Sequence, residues 1–121
     1  MRKFETGAIR DSDEGKIKYV DAICLEFFQM YGSYMRKHCV QKDGQCRSTS
    51  NWKKGFGLDV TIDSFFRHAV DFVLSHYGIP VDSKLSHEDL ACAVRFNLEA
   101  YMQEYLDKKK EKLNDKPSNS D

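Results

Sequence analysis

The sequence predicts a mainly α-helical fold of three main helices, an extended N-terminal arm and a long ordered loop, with room for short β-strands in the arm or loop. Three observations predict it. Apolar residues recur at helical spacing in three stretches, over 20–38, over 61–77 and from 86 onward. Residues 1–18 show neither a 3.6-residue repeat nor two-residue alternation. Residues 39–60 are polar and carry glycine, and such a long connection in a small domain is usually functional.

In helix one, predicted over 20–38, Val20, Ile23, Cys24, Phe27, Phe28, Tyr31, Tyr34 and Met35 make the stripe, with Glu26, Gln29, Ser33 and Arg36 opposite. Asp21 near its start and Lys37 and His38 at its end suit the helix dipole. In helix two, predicted over 61–77, Ile62, Phe65, Phe66, Ala69, Val70, Val73 and Tyr77 form the apolar face, and Gly78 and Pro80 stop the helix. Ser86 is placed to cap helix three, with Asp89 three residues on. Its predicted stripe is Leu90, Val94, Leu98, Tyr101 and Tyr105, while Arg95 and Glu99 face away and pair. The pattern gives one domain over 1–106, then a charged helix end and flexible tail over 107–121.

The 121 residues suit a single domain. Lys+Arg and Asp+Glu both number 19, so net charge gives no pull toward a nucleic-acid polymer or an anionic membrane. No apolar run approaches the roughly 20 residues that span a bilayer. Cys24, Cys39, Cys46 and Cys92 include no C-x-x-C pair, and no secretory signal is seen, so reduced thiols in the cytoplasm are expected. A zinc site on His38, Cys39 and Cys46 matches no usual spacing, and no metal or cofactor is expected.

The chemistry-bearing residues are scattered. In the arm, Gly7 and Gly15 allow close backbone approach. Arg10 can meet phosphate as a planar fork and Lys16 as a point charge. Asp11 and Asp13 can hold those cations or accept from ribose hydroxyls; alternatively the arm is merely solvated and pinned by Phe4. Trp52 anchors the loop if buried and stacks on a base if exposed, with the anchor favoured. Asn51 beside it can read a base edge, and Lys53 and Lys54 point apart. Asp63, Arg67 and Asp71 form an i, i+4 row, a surface ladder; the other reading aims Arg67 and His68 at a phosphate and a ribose. Asn97 inside the helix-three stripe must bond a neighbouring segment's backbone or face a ligand, and Phe96 beside it offers a stacking face. No carboxylates fall at the spacing of an all-α nucleotide pyrophosphatase: Asp21 and Glu26 are five apart, as are Glu99 and Glu104.

Four blocks, FETGAIRDSDEGK, NWKKG, DSFFRH and ACAVRFNLEAYMQEYL, resemble in that order the phage domain that forms the N-terminal part of dATP/dGTP diphosphohydrolases, over residues 4–106. Within that group the short stand-alone form looks most like the Thoeris anti-defence proteins of phages. The resemblance implies a sponge in the bacterial host cytoplasm. Such a protein sequesters a cyclic ADP-ribose-type immune signal, in some cases also cyclic oligonucleotides, without cleaving it, and so blocks TIR-based Thoeris immunity. The expected ligand contacts are Arg10, Asp11, Lys16, Asn51, Trp52, Arg67, His68, Phe96 and Asn97, with no catalytic residue. The alternatives are a metal-dependent nucleoside triphosphate diphosphohydrolase and a ligand-free adaptor; the missing carboxylate cluster ranks the sponge first. Apolar stripes too wide for three short helices to cover predict a homodimer or higher homo-oligomer, with pockets near subunit contacts.

Overall fold

The computed structural model describes residues 2–3, 5–7, 9–10, 14–39, 44–45, 48 and 50–114, with Arg2, Lys3 and Arg10 described by backbone alone. Phe4, the expected pin of the arm, lies outside the described residues. The fold is mainly α, as the periodicity predicts. Strands β1 (Arg2–Lys3) and β2 (Ile9–Arg10) pair antiparallel in the arm, Arg2 opposite Arg10. A 3₁₀ turn over Tyr19–Ala22 precedes α1 (Leu25–Lys37). A second 3₁₀ turn over Asn51–Lys54 leads into α2 (Leu58–His76), and α3 (His87–Asn114) completes the chain's described part. Among the described residues no helix is long and apolar enough to cross a membrane.

The start of helix one differs from expectation. Ile23 (φ −126°, ψ 155°) and Cys24 (φ −86°, ψ 106°) are extended, so α1 begins at Leu25 and not at 20. The spacing of Val20, Ile23 and Cys24 is helical, but Val20 stays in the 3₁₀ turn and β-branched Ile23 favours extended backbone, with too little burial to override that preference.

Helix α2 begins three residues earlier than predicted, because α3 caps it from outside. Glu104 Oε1 accepts hydrogen bonds from the backbone N–H of Phe56 (3.1 Å) and Gly57 (2.9 Å), where Gly57 is the N-cap. A carboxylate there also complements the dipole. Gly55 passes against the same group at φ 94°, and a Cβ would come within 2.9 Å of Glu104 Oε1. That oxygen is pinned by two N–H donors and cannot readily yield, so the position requires glycine. Lys108 Nζ holds the other carboxylate oxygen at 2.9 Å. The hydrogen bond from Lys108 is the main reason the Glu104 carboxyl sits below its usual range; the Gly57 and Phe56 N–H groups add to it and desolvation opposes it. A lowered carboxyl pKa stabilises the fold above the ordinary Glu value, and the contribution is lost as pH falls through the lowered one. Glu104→Gln is therefore expected to melt below the parent at neutral pH, with the gap closing as the melts are repeated from pH 5 toward pH 3. A gap that stays constant would remove the ionised carboxylate from this account.

The remaining helix ends follow the sequence. Gly78 (φ 73°) closes α2 in a Schellman motif, with Ile79 N–H on the Leu74 carbonyl (2.9 Å) and Gly78 N–H on that of Ser75 (3.0 Å). Ser86 Oγ accepts from Asp89 N–H at 3.1 Å and caps α3.

The core lies along α3. Helix α2 packs on a row of Leu90, Ala93, Asn97 and Ala100, all buried, with Thr61 buried on the α2 side. The predicted α3 stripe is thus rotated: Leu98 and Tyr105 are 50% and 43% exposed. Small Ala93 and Ala100 let the α2 backbone come close, which a bulkier stripe would prevent. Arg95 pairs with Glu99 at 3.5 Å as expected, yet it does not face away. Its guanidinium lies over the rings of Tyr31 (4.6 Å), Phe28 (5.2 Å) and Phe27 (5.9 Å) and forms the seam between α1 and α3. Burial, then the nearby Glu99 charge, push the Tyr31 hydroxyl up to about 12, against Arg95.

The expectation that every thiol is reduced is also corrected. Cys39 is disulfide-bonded, while exposed Cys24 and buried Cys92 are free. The 2.9 Å approach of the Cys39 sulfur to the Arg36 carbonyl is therefore a contact with no proton donated.

Candidate functional site

The end of α1, the second 3₁₀ turn and the middle of α3 enclose a cleft of about 300 Å³. Tyr34 and His38 stand one turn apart on α1, so they share a face, and their rings lie 4.2 Å apart at a 39° tilt. Met35 and Cys39 complete that wall. Tyr31 extends the row of rings, 6.4 Å from Tyr34 and nearly parallel to it.

The loop supplies the second wall. Asn51 N–H bonds the Ser48 carbonyl (3.0 Å), Lys53 N–H that of Ser50 (3.0 Å) and Gly55 N–H that of Trp52 (3.1 Å), winding the turn tightly. Asn51, Trp52, Phe56 and Ser48 face the cleft. Phe96 closes it from α3. The Trp52 ring meets Phe96 edge-on at 6.0 Å and 72°, and Phe56 meets Phe96 at 6.3 Å. Trp52 is half-buried, so it anchors the loop and still lines the hollow. Lys53 Nζ lies 5.7 Å from the Trp52 ring, and Lys54 is exposed on the same turn. Burial, followed by Cys92 and Asp89, raises the Tyr34 hydroxyl pKa, which keeps it a neutral donor.

Of the sequence-predicted contacts, Asn51, Trp52 and Phe96 converge here. The Arg10 side chain and Asp11 lie outside the described residues. Lys16 is exposed and does not line the cleft. Arg67 and His68 do not line it either. Arg67 donates to Ser64 Oγ (3.2 Å), and among the described residues the expected ladder with Asp63 and Asp71 does not form. His68 is half-buried with an unpartnered Nδ1; burial first and the Arg67 charge second lower its pKa, while Asp71 opposes them. Asn97 does not line the cleft: its Nδ2 donates to the Ala93 carbonyl of its own helix (2.9 Å), a partner other than the neighbouring segment's backbone expected for it.

Tyr34, Met35, His38, Cys39, Ser48 and Phe56 line the cleft but were not among the expected contacts. The legible signal was a tyrosine and a histidine at i, i+4 in the last turn before the long loop; as part of an apolar stripe, that tyrosine reads as core. Rings offer faces to a base, and Asn51, Ser48 and His38 offer donors and acceptors to its edge or to a ribose. Among the described residues no group of three or more His, Cys, Asp and Glu side chains is placed to hold a metal. Comparison with protein-family models, curated proteins and solved structures returns no match to this chain.

Proposed function

We propose that the cleft seats the base and ribose of a nucleotide, and that the chain acts by holding a cyclic ADP-ribose-type signal intact, thereby silencing TIR-based Thoeris immunity in a phage-infected bacterium. In this reading it is a binding protein and not an enzyme, and it works as a homo-oligomer. The observation that carries the reading is the gathering of five rings, Tyr34, His38, Trp52, Phe56 and Phe96, around one hollow with Asn51 at its side. A volume of about 300 Å³ is at the lower end for small-molecule sites and suits one base with its sugar. Phosphates would then lie toward Lys53 and Lys54 at the loop, where an ammonium serves as a point charge. Rings, amide and hydroxyl are groups that bind a nucleotide by stacking and edge recognition, which favours retention over turnover. The four sequence blocks supply the choice of a cyclic ADP-ribose-type ligand.

Retention is tested directly. The protein is incubated with cyclic ADP-ribose isomers, stripped of unbound ligand, heat-denatured and its supernatant chromatographed. Release of unaltered ligand is the expected result. Conversion on addition of Mg²⁺ or Mn²⁺ would identify a diphosphohydrolase, and failure to retain any nucleotide would leave a ligand-free adaptor.

A further inference from the structure

Helix α2 is apolar at ten of its nineteen positions, and those positions cover about two-thirds of its circumference, leaving a polar arc of Thr61, Ser64, His68, Asp71 and Ser75. An apolar face that wide is normally covered by packing. Here α3 covers one side only. On the opposite side Ile62, Phe66, Val70, Val73 and Tyr77 follow at steps of 4, 4, 3 and 4 residues, an unbroken row from the second turn to the C-cap. They are 46%, 67%, 41%, 52% and 72% exposed.

We infer that this row seats a second copy of the same chain, with the two α2 helices packed antiparallel about a two-fold axis beside Val70. Two arguments select that occupant. The first is area. With large apolar side chains presenting roughly 150–250 Å² each when fully exposed, the row offers about 600 Å² per chain. Doubled by a two-fold, complete burial of the row gives about 1,200 Å², where stable specific interfaces begin. The second is charge. Asp59 and Asp63 stand beside the row at its N-terminal end, and His76 lies at the other. An antiparallel pair sets the acids and the positive dipole end of each helix against the carbonyl end and His76 of the partner subunit. A parallel pair would set acids against acids. The row is therefore complementary to itself when reversed, which is what a two-fold interface demands. In this register Ile62 meets Tyr77 of the partner subunit, and Phe66 meets Val73 of the partner subunit. The cleft lies on α1, the loop and α3, so this inference stands apart from the nucleotide reading.

Sedimentation velocity on the full chain at micromolar concentration is expected to show a dimer. Phe66→Glu is expected to sediment as a monomer with unchanged helical circular dichroism, whereas Leu106→Glu, on exposed α3 surface, remains dimeric. Because the axis brings each Val70 next to its own copy, Val70→Cys in a Cys24→Ser background is expected to cross-link two chains on mild oxidation, and Leu106→Cys is not. A monomeric parent overturns the inference. So does a Phe66→Glu protein that stays dimeric, or a Val70→Cys protein that does not cross-link. Should Phe66→Glu lose its helical signal, the cross-link decides.

Discussion

Trp52→Ala is expected to weaken binding of a cyclic ADP-ribose-type nucleotide by about 5- to 150-fold, the equivalent of the roughly 1–3 kcal/mol that one stacked ring contributes. Trp52 is the residue to choose because it lines the cleft and also meets Phe96 edge-on at 6.0 Å, so both its face and its placement are fixed before a ligand arrives. It is the chain's single tryptophan, so its fluorescence reports binding to the parent protein. The variant is read by calorimetry. Truncation also removes a loop anchor, and Phe96→Leu serves as the companion: it keeps apolar bulk on α3 but removes the ring, and is expected to lose affinity while the loop stays seated. Arg67→Ala is the contrast. Arg67 is bonded to Ser64 on α2 and does not line the cleft, so its removal should leave affinity within about twofold, below the tenfold that 1.4 kcal/mol represents. Equal losses at Trp52 and Arg67 would mean that the ligand sits somewhere else.

Leu90→Ala is expected to destabilise the chain by about 2–5 kcal/mol and to lower its melting temperature by about 10 °C or more. Leu90 is fully buried at 0% exposure, and the other buried apolar residues described on α3 are small: Cys92, Ala93 and Ala100. Leucine here is the one large apolar side chain described as fully buried on α3, and its small neighbours cannot expand into the space it leaves. Leu98→Ala, the same chemical change two turns along the same helix, is the control. Leu98 is half exposed and its truncation should cost under about 1 kcal/mol. Urea or thermal unfolding of the pair distinguishes the two stripes: comparable losses would show that the core runs along the bulky stripe after all.

These two leucines also show what could be read from the sequence. Local chemistry was legible. Ser86 caps α3, Gly78 closes α2 and Arg95 pairs with Glu99, because each device acts within a few residues of itself. The choice of buried face on α3 was not, because bulky Leu98 and Tyr105 match the helical period as well as Ala93 and Ala100 do. Only the approach of α2 decides between them. The beginning of α2 was missed for a similar reason: its cap, Glu104, comes from 47 residues away. In the site, Asn51, Trp52 and Phe96 were legible as groups with a chemistry of their own. Tyr34 and His38 were not, since periodicity cannot tell a ring that fills a core from one that borders a hollow. Asn97 was the opposite case, where a buried amide advertised a partner and found it one turn back in its own helix.

The seam under α1 has a kinetic consequence. Helix α1 carries one wall of the cleft, and α2 and α3, joined along a buried row, carry the frame. Contacts of the kind Arg95 makes with Tyr31, Phe28 and Phe27 are worth about 0.5–2 kcal/mol each, so removing Arg95 loosens the hold of α3 on α1. The hollow is then a jaw with one loose side. If the cleft holds a nucleotide as proposed, that molecule would escape at the rate the jaw opens, and residence time, more than contact area, would be the property Arg95 governs without touching the captive.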